Sequence, residues 1–187
     1  MIILASKSPR RKEILDMLEF EYKCIPAETD ETPVEGMSHA DTVMLFSKRK
    51  ADAVCQYAGV DDVVLGMDTM VCVDGKLLGK PKDEDDAFRM LSMLSGRVNT
   101  VITGYTVMVN GKWETGCVAS DVLFKPMTES EIRWYISTGE PMDKAGAYGI
   151  QGKGSLFIES IEGDYFSVLG FPVCQVFKVV KKLKNSK

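Results

Sequence analysis

The sequence predicts an α/β protein built around a mixed β-sheet. Segments typical of strands alternate with segments typical of helices, as in α/β folds. Two long strand candidates, residues 98–109 and 112–124, are joined by Asn110-Gly111, a strong signal of a two-residue hairpin turn. Part of the sheet must therefore be antiparallel. The chain of 187 residues suits one compact domain, or two small lobes, and we assign residues 1–187 to a single domain.

The other strands are predicted where short apolar runs lie between turn residues. They are residues 2–5, 22–25, 63–65 with a continuation past Asp68 at 70–73, 77–78 and 156–161. Asp74-Gly75 is a second hairpin signal, and it predicts a further antiparallel pair.

Helices are predicted where apolar residues recur at helical spacing after a capping residue. The ranges are 9–18, 38–57, 83–94, 128–139 and 172–180, with residues 181–187 as a frayed basic end. Ser8, Ser38 and Thr128 are the predicted caps, and Pro9 suits the first helical position because its missing N–H would be unpaired there.

The composition excludes several function classes. A formal charge of -4, from 23 basic and 27 acidic residues, argues against a general nucleic-acid coat. Five cysteines without a CxxC pair argue against a disulfide framework or a structural zinc site and favour a reducing cytosol. The N-terminus lacks the features of a signal peptide, and no apolar run approaches the ~18 residues that span a bilayer. We expect a cytoplasmic protein without nucleic-acid or membrane partners.

Two further kinds of site are disfavoured. His39 is the only histidine, so a Ser-His-Asp triad could be built only around it, and a multi-histidine metal site is excluded. The segment 149–155 resembles a phosphate loop, but it lacks the four-residue gap of a Walker A motif and does not clearly open a helix. We reject that match.

A first candidate cluster lies at the turn between the first strand and the first helix. It contains Ser6, Ser8, Arg10 and Arg11. Backbone N–H groups at a helix start favour anions, and arginine adds forked donors that match phosphate oxygens. A capped surface helix with solvated arginines explains the same residues equally well.

Asp68 is a second candidate because it interrupts an otherwise apolar run, residues 63–73. Burying an unpaired carboxylate costs several kcal/mol, so a buried Asp68 needs a cation, a metal or a bound water. The alternative is a bend between two strands that exposes Asp68 to solvent.

The remaining candidates are lysines and an acidic segment. Lys50 and Lys80 could hold phosphates, although most lysines are merely solvated. Carboxylates in residues 28–35 suit magnesium or manganese, but this segment also fits a solvated loop. Together the three groups predict metal-assisted hydrolysis of a phosphate compound.

At these residues the sequence resembles the Maf family of nucleoside triphosphate pyrophosphatases over nearly the whole chain. The matching motifs are Ala5-Ser6-Lys7-Ser8-Pro9-Arg10-Arg11, Lys48-Arg49-Lys50-Ala51, Gly66-Met67-Asp68-Thr69-Met70-Val71, Gly79-Lys80-Pro81, Leu94-Ser95-Gly96-Arg97 and Asp143-Lys144-Ala145-Gly146-Ala147-Tyr148-Gly149-Ile150-Gln151-Gly152. The last motif is long and very specific.

The resemblance implies a fold and a reaction. The fold is a long curved mixed sheet with flanking helices and a cleft between two lobes, similar to inosine triphosphate pyrophosphatases. The reaction is hydrolysis between the α and β phosphates, which needs a divalent cation, Mg²⁺ or Mn²⁺. A homodimer is compatible with the resemblance, although no interface can be named.

The resemblance also implies roles for individual residues. Asp68 matches the base that takes a proton from water and is also a candidate metal ligand, together with Glu31 from the acidic segment. The residues that match phosphate-binding positions are Ser6, Ser8, Arg11, Lys50 and Lys80. A free aspartate titrates near ~3.9, and lysines and a metal would lower its pKa further. We therefore expect Asp68 to orient water or bind the cation as much as accept a proton.

Three positions indicate the branch of the family. Arg10, Thr69 and Gln151 match the branch that resembles dTTP/UTP pyrophosphatases. A glutamine offers both a donor and an acceptor, which suits a neutral pyrimidine edge. Modified pyrimidine triphosphates are compatible with the same site.

Two alternatives stay open. The sister branch acts on 7-methyl-GTP, and its glutamate and stacking tryptophan would suit a cationic base. The family name is also linked with inhibition of septum formation, so a regulatory nucleotide-binding protein is the other alternative. The presence of Asp68, Lys50 and Lys80 favours the enzyme.

Overall fold

The computed structural model describes residues 1–186, which form seven strands and six α-helices. The strands are β1 (Ile2–Ala5), β2 (Tyr22–Cys24), β3 (Val63–Val73), β4 (Lys76–Leu78), β5 (Val98–Val109), β6 (Lys112–Phe124) and β7 (Ile158–Glu162). The helices are α1 (Pro9–Met17), α2 (His39–Val54), α3 (Glu84–Leu94), α4 (Glu129–Ser137), α5 (Tyr165–Val168) and α6 (Val173–Asn185).

The strands form one mixed sheet in the order β2-β1-β3-β5-β6-β7, with β4 paired to β3. Parallel pairs on β1 and antiparallel pairs at β4 and β7 occur in the same sheet. The predicted α/β class with a mixed sheet and flanking helices is therefore confirmed. The predicted cleft stays a prediction. Among residues 1–186, no helix has the length and apolar character that crossing a bilayer requires.

Both predicted hairpin turns are present, and their backbone dihedral angles show why these residue types occur there. Asp74 and Gly75 have φ values of 50° and 73°, and Asn110 and Gly111 have 51° and 74°. These left-handed pairs are the geometry of a type I′ turn, which asparagine, aspartate and glycine tolerate best.

Several predicted boundaries were wrong. The predicted continuation of the strand past Asp68 is correct, since residues 63–73 form one continuous strand, but other ends differ. Helix α2 ends at Val54 and is followed by a 3₁₀ turn, Cys55–Tyr57. Another 3₁₀ turn, Gly152–Phe157, delays the start of β7 to Ile158. Helix α6 continues to Asn185, so most of the predicted frayed end is helical, and Lys187 lies outside the described residues.

The chain divides into two compact units, and the single-domain assignment stays a prediction. Unit 1 comprises residues 1–68, 103–118 and those from 169 onward. Inside it, β1 pairs in parallel with β2 and with the first part of β3. A buried apolar cluster lies between these strands and α2. Its members are Ile3, Ala5, Ala51, Val54 and Val64.

Unit 2 comprises residues 69–102 and 119–168. Its β4 pairs with the second part of β3, and its β7 pairs with the end of β6. Thr128 and Glu131 form a reciprocal capping box that starts α4, as the sequence predicts. Helix α4 packs against α3, with the Arg133 guanidinium 4.7 Å from the centre of the Phe88 ring.

Candidate active site

Parallel pairing in unit 1 brings two of the predicted site segments together at the carboxyl end of β1. Ala5 on β1 lies opposite Gly66 on β3. Ser6 follows Ala5, and Asp68 lies two residues after Gly66, so both residues lie just beyond this pair in the same direction. Both residues are buried. The expected alternative, a bend that exposes Asp68, is excluded.

A glycine allows α2 to lie against β3 at this point. A Cβ placed on Gly66 would lie 2.7 Å from the backbone nitrogen of Ala51, and it would overlap the carbonyl oxygen of Ser47. Only glycine permits this approach without displacing the backbone. The close packing brings Lys50 of α2 to Asp68.

Three charged side chains converge in unit 1. The Lys50 ammonium lies 2.5 Å from Oδ1 of Asp68 and 2.8 Å from Oε1 of Glu31. The Asp68 and Lys50 side chains are 9% and 13% exposed, whereas that of Glu31 is 55% exposed. The Asp68–Lys50 pair is therefore largely removed from water, whereas the Glu31 carboxylate contacts Lys50 and also faces solvent.

Burial of Asp68 changes its proton affinity in the direction opposite to our expectation. Desolvation raises the pKa of Asp68, and the nearby positive charges of Lys50 and Arg11 only partly oppose it. The expectation that the pKa would fall considered the neighbouring cations and omitted burial. A raised pKa makes the ionised carboxylate a better proton acceptor than a free aspartate.

Arg11 joins three backbone segments of unit 1. Its Nε donates to the carbonyl of Gly170 at 2.8 Å, and Nη1 donates to the carbonyl of Met67 at 3.1 Å. Nη1 also donates to the Ser6 hydroxyl at 2.9 Å, and that hydroxyl accepts from the backbone N–H of Ser8. Burial lowers the pKa of Arg11 to about 10, so the side chain stays charged at neutral pH. Its position beside Met67 holds the segment that carries Asp68.

These contacts predict that Arg11→Lys is not a conservative change. A lysine has one nitrogen, which cannot serve the three acceptors of the guanidinium. We expect the free energy of unfolding in urea to fall by about 2 kcal/mol, since hydrogen bonds to charged buried groups are worth roughly that much. Arg97→Lys is the control, because its exposed guanidinium makes an ion pair with the equally exposed Asp74, and the expected change is below about 0.5 kcal/mol. Equal stability of the two variants would contradict the role assigned to Arg11.

Arg10 and Ser8 complete the predicted turn. Arg10 lies half-buried in the first turn of α1. Ser8 is the N-cap residue, but within the described chain its side chain makes no capping hydrogen bond. The first N–H groups of a helix have no partner within the helix, so this turn suits an anion.

The other predicted site residues belong to unit 2. Thr69 follows Asp68 on β3 and is half-buried, while Lys80 and Gln151 are exposed. The carbonyl of Gly79, next to Lys80, accepts from the N–H of Gly146 at 3.0 Å. This bond joins the Lys80 segment to the start of the motif that ends near Gln151.

The comparison with family models decides the relationship. The model described as Maf-like protein matches residues 1–183. This chain belongs to the Maf family. It is 46% identical to a dTTP/UTP pyrophosphatase of Bacillus velezensis, over 97% of this chain and 95% of the relative. It is 47% identical to a dTTP/UTP pyrophosphatase of Thermococcus kodakarensis, over 99% and 96%.

A solved structure also resembles the Maf chain described here. It is a nucleoside-triphosphatase, named dITP/XTP pyrophosphatase, from Mycobacterium abscessus. Its sequence is 12% identical, and the superposition covers 98% of this chain and 94% of the solved chain, with a TM-score of 0.42.

Sequence reasoning identified the acidic segment of this Maf chain but not its basic partners. Glu28 lies 3.1 Å from the Lys7 ammonium. Arg49 donates to the carbonyl of Asp30 at 2.7 Å. The Lys48-Arg49-Lys50 run was a signal for the Arg49 contact, since successive residues of a helix point in different directions and reach different neighbours.

The two carboxylates beside Lys50 fit a hard divalent cation. Asp68 and Glu31 both contact the same nitrogen, so their oxygens lie near each other. Within residues 1–186, no group of three or more His, Cys, Asp or Glu side chains is arranged to hold a metal. Magnesium is commonly bound by one or two carboxylates together with substrate phosphates, so a pair of carboxylates suffices.

Proposed function

We propose that this Maf-family protein is a nucleoside triphosphate pyrophosphatase that hydrolyses dTTP and UTP to the monophosphate and pyrophosphate. The observation that carries the proposal is the buried Asp68 carboxylate in contact with Lys50, in the middle of β3. The names of the relatives supply the substrates.

The proposed reaction has one proton acceptor. Asp68 takes a proton from water as the water oxygen forms a bond to the α phosphorus. The bond from that phosphorus to the α–β bridging oxygen breaks, and pyrophosphate leaves with the bonding electrons. Burial raises the pKa of Asp68 and so favours the proton transfer.

The cationic groups bind the phosphates. The Lys50 ammonium, which contacts Asp68 and Glu31, would pair with phosphate oxygens of the substrate. The α1 turn adds backbone N–H groups, and Ser6, Ser8 and Arg11 lie at the positions proposed to bind phosphate. Lys80 contributes a further positive charge, and Arg11 stabilises the segment next to Asp68.

Asp68 and Glu31 are the residues that would hold a divalent cation. The ion would neutralise part of the phosphate charge that Lys50 and Lys80 leave.

Arg10, Thr69 and Gln151 select the base. The Gln151 amide can donate to one atom and accept from the next, which matches the O4 and N3–H of uracil and thymine. The cationic 7-methylguanine would instead favour a carboxylate. A cytoplasmic location and a homodimer complete the proposal.

Metal-dependent release of pyrophosphate is the decisive test. Purified protein is given dTTP, UTP or 7-methyl-GTP, with either magnesium or EDTA. We expect release from dTTP and UTP with magnesium, and a loss of at least about a hundredfold in EDTA. Release from 7-methyl-GTP alone would assign the protein to the sister branch. No release from any of the three would overturn the proposal in favour of nucleotide binding without turnover.

A further inference from the structure

We propose that Glu140, acting with Tyr135, is a positioning residue that sets the conformation of the segment carrying Gln151 and thereby the preference for pyrimidine triphosphates. The inference rests on the proposed function, since it assumes that Gln151 contacts the base. It concerns unit 2 alone, where all the residues involved belong.

The Glu140 carboxylate collects three donors. Its Oε1 accepts from the Tyr135 hydroxyl at 2.9 Å and from the backbone N–H of Gly154 at 3.0 Å. Its Oε2 accepts from the backbone N–H of Lys153 at 2.9 Å. The Tyr135 oxygen in turn accepts from the N–H of Gly149 at 3.2 Å.

These four bonds hold the segment on both sides of Gln151. Gly149 lies two residues before Gln151, and Lys153 and Gly154 lie two and three residues after it. Gln151 is exposed and has an extended backbone, with φ of -100° and ψ of 165°. The side chain is thus free to reach a ligand while its backbone is held at both ends.

The chemistry of the contact requires a carboxylate. An ionised carboxylate only accepts hydrogen bonds, so it can serve several donors without presenting one of its own. Partial burial acts to raise the pKa of Glu140, but the N–H groups of Lys153 and Gly154, with the Tyr135 hydroxyl, outweigh it and lower the pKa. Glu140 is therefore charged at neutral pH.

The packing leaves little room for another arrangement. A Cβ on Gly154 would lie 2.5 Å from the Tyr135 hydroxyl and would overlap the carbonyl oxygen of Gly149. Gly152 has φ of 67°, and a Cβ there would lie 2.8 Å from Oε2 of Glu140. These glycines fit around the carboxylate. Three N–H groups of segment 149–155, those of Gly149, Lys153 and Gly154, are already bonded to side chains.

The core of unit 2 contains a separate hydrogen-bond network that does not involve Glu140. The Tyr148 hydroxyl donates to Oδ1 of Asn99 at 2.8 Å, and the Asn99 amide donates to the carbonyl of Val122 at 3.0 Å. Both Tyr148 and Asn99 are buried. Loss of Glu140 should therefore release the Gln151 segment without unfolding the strands.

The test compares Glu140→Gln with Tyr135→Phe and with Glu129→Gln, a control at an exposed residue of α4 whose carboxylate pairs with Arg133. KM and kcat are measured for dTTP, UTP and 7-methyl-GTP. We expect Glu140→Gln to raise KM for dTTP and UTP about tenfold, with kcat within about twofold, because one of the three donors loses its acceptor. The preference for dTTP and UTP over 7-methyl-GTP should narrow, and the control should behave as the wild type.

A double variant separates positioning from general damage. If Glu140 acts through Gln151, then Gln151→Ala and the combined Glu140→Gln/Gln151→Ala variant should have the same KM for dTTP. Additive effects, or an equal fall of kcat for all three substrates, would overturn the inference. An unchanged KM in Gln151→Ala alone would instead refute the proposed specificity role of Gln151.

Amide hydrogen exchange gives a readout that needs no turnover. The N–H groups of Lys153 and Gly154 should exchange at least about tenfold faster in Glu140→Gln, while that of Val122 stays protected. If Glu140→Gln does not fold, Tyr135→Phe decides, since it removes the Gly149 acceptor and one carboxylate donor. Wild-type KM and exchange in Tyr135→Phe would then refute the positioning role.

Discussion

Replacing Asp68 with asparagine is expected to lower kcat for dTTP about a thousandfold, because general-base catalysis typically contributes between about 10² and 10⁴ in rate. Asparagine has nearly the same shape, and its amide oxygen can still accept from Lys50, but it cannot take a proton from water. Steady-state pyrophosphate release with magnesium measures the effect. Asp16→Asn, on the exposed face of α1, is the matched control.

The same variant should fold at least as well as the wild type. Burial raises the pKa of Asp68 above its ordinary value of 3.8, so the folded protein holds this proton more tightly than the unfolded chain. The stabilisation from the protonated form is fully present below the unfolded pKa and is lost as the pH rises through the folded pKa. At pH 7 in metal-free buffer, we expect Asp68→Asn to melt no lower than the wild type.

The two measurements together distinguish a catalytic role from a structural one. Lys50 keeps Glu31 as a partner in Asp68→Asn, so no buried charge is left alone. Turnover of dTTP at the wild-type rate would show that Asp68 is not the base. A large drop in melting temperature would show that the carboxylate stabilises the fold.

Gly66→Ala should have the largest effect on stability. Its added Cβ would overlap the carbonyl oxygen of Ser47 and press on the backbone of Ala51, and neither atom belongs to a flexible side chain. Helix α2 must then move away from β3. We expect the free energy of unfolding to fall by about 3 kcal/mol in urea, at the upper end of the usual cost of overpacking.

The same displacement should reduce activity, because α2 carries Lys50 and β3 carries Asp68. Gly59→Ala is the control, since the nearest atom to its added Cβ is an Asp62 side-chain oxygen at 3.4 Å. The control should change stability by less than about 0.5 kcal/mol. A similar small change in Gly66→Ala would mean that α2 tolerates an outward shift at no cost.

Local sequence signals predicted the elements that depend on neighbouring residues. The turns at Asp74-Gly75 and Asn110-Gly111 were correct because their left-handed backbones are favoured by those residue types themselves. The caps at Ser38 and Thr128 were correct for the same reason, since each side chain accepts from a backbone N–H three residues further on, whereas Ser8 makes no capping hydrogen bond. The predicted helix end near Tyr57 and the predicted strand start at Leu156 were wrong because each lies in a 3₁₀ turn. The spacing of apolar residues does not distinguish a short 3₁₀ turn from the end of a helix or the start of a strand.

The candidate site was identified from its residue types, but its connections were not. Asp68 stood out as a carboxylate in an apolar run, and the motifs added Lys50. Nothing in the sequence indicated that Glu140 binds the backbone on the far side of Gln151, because a glutamate before a proline is typical of an exposed turn.

By itself, the sequence determined the fold class, the hairpins and the family, because each depends on local pattern or on a long motif. Only the tertiary structure decided that Asp68 is buried with a raised pKa. It also decided that Arg11 bonds both to Met67, next to Asp68, and to Gly170, which lies 159 residues after Arg11 in the chain. Burial and long-range hydrogen bonds arise from the packing of distant segments. Their energies therefore depend on contacts that no local pattern contains.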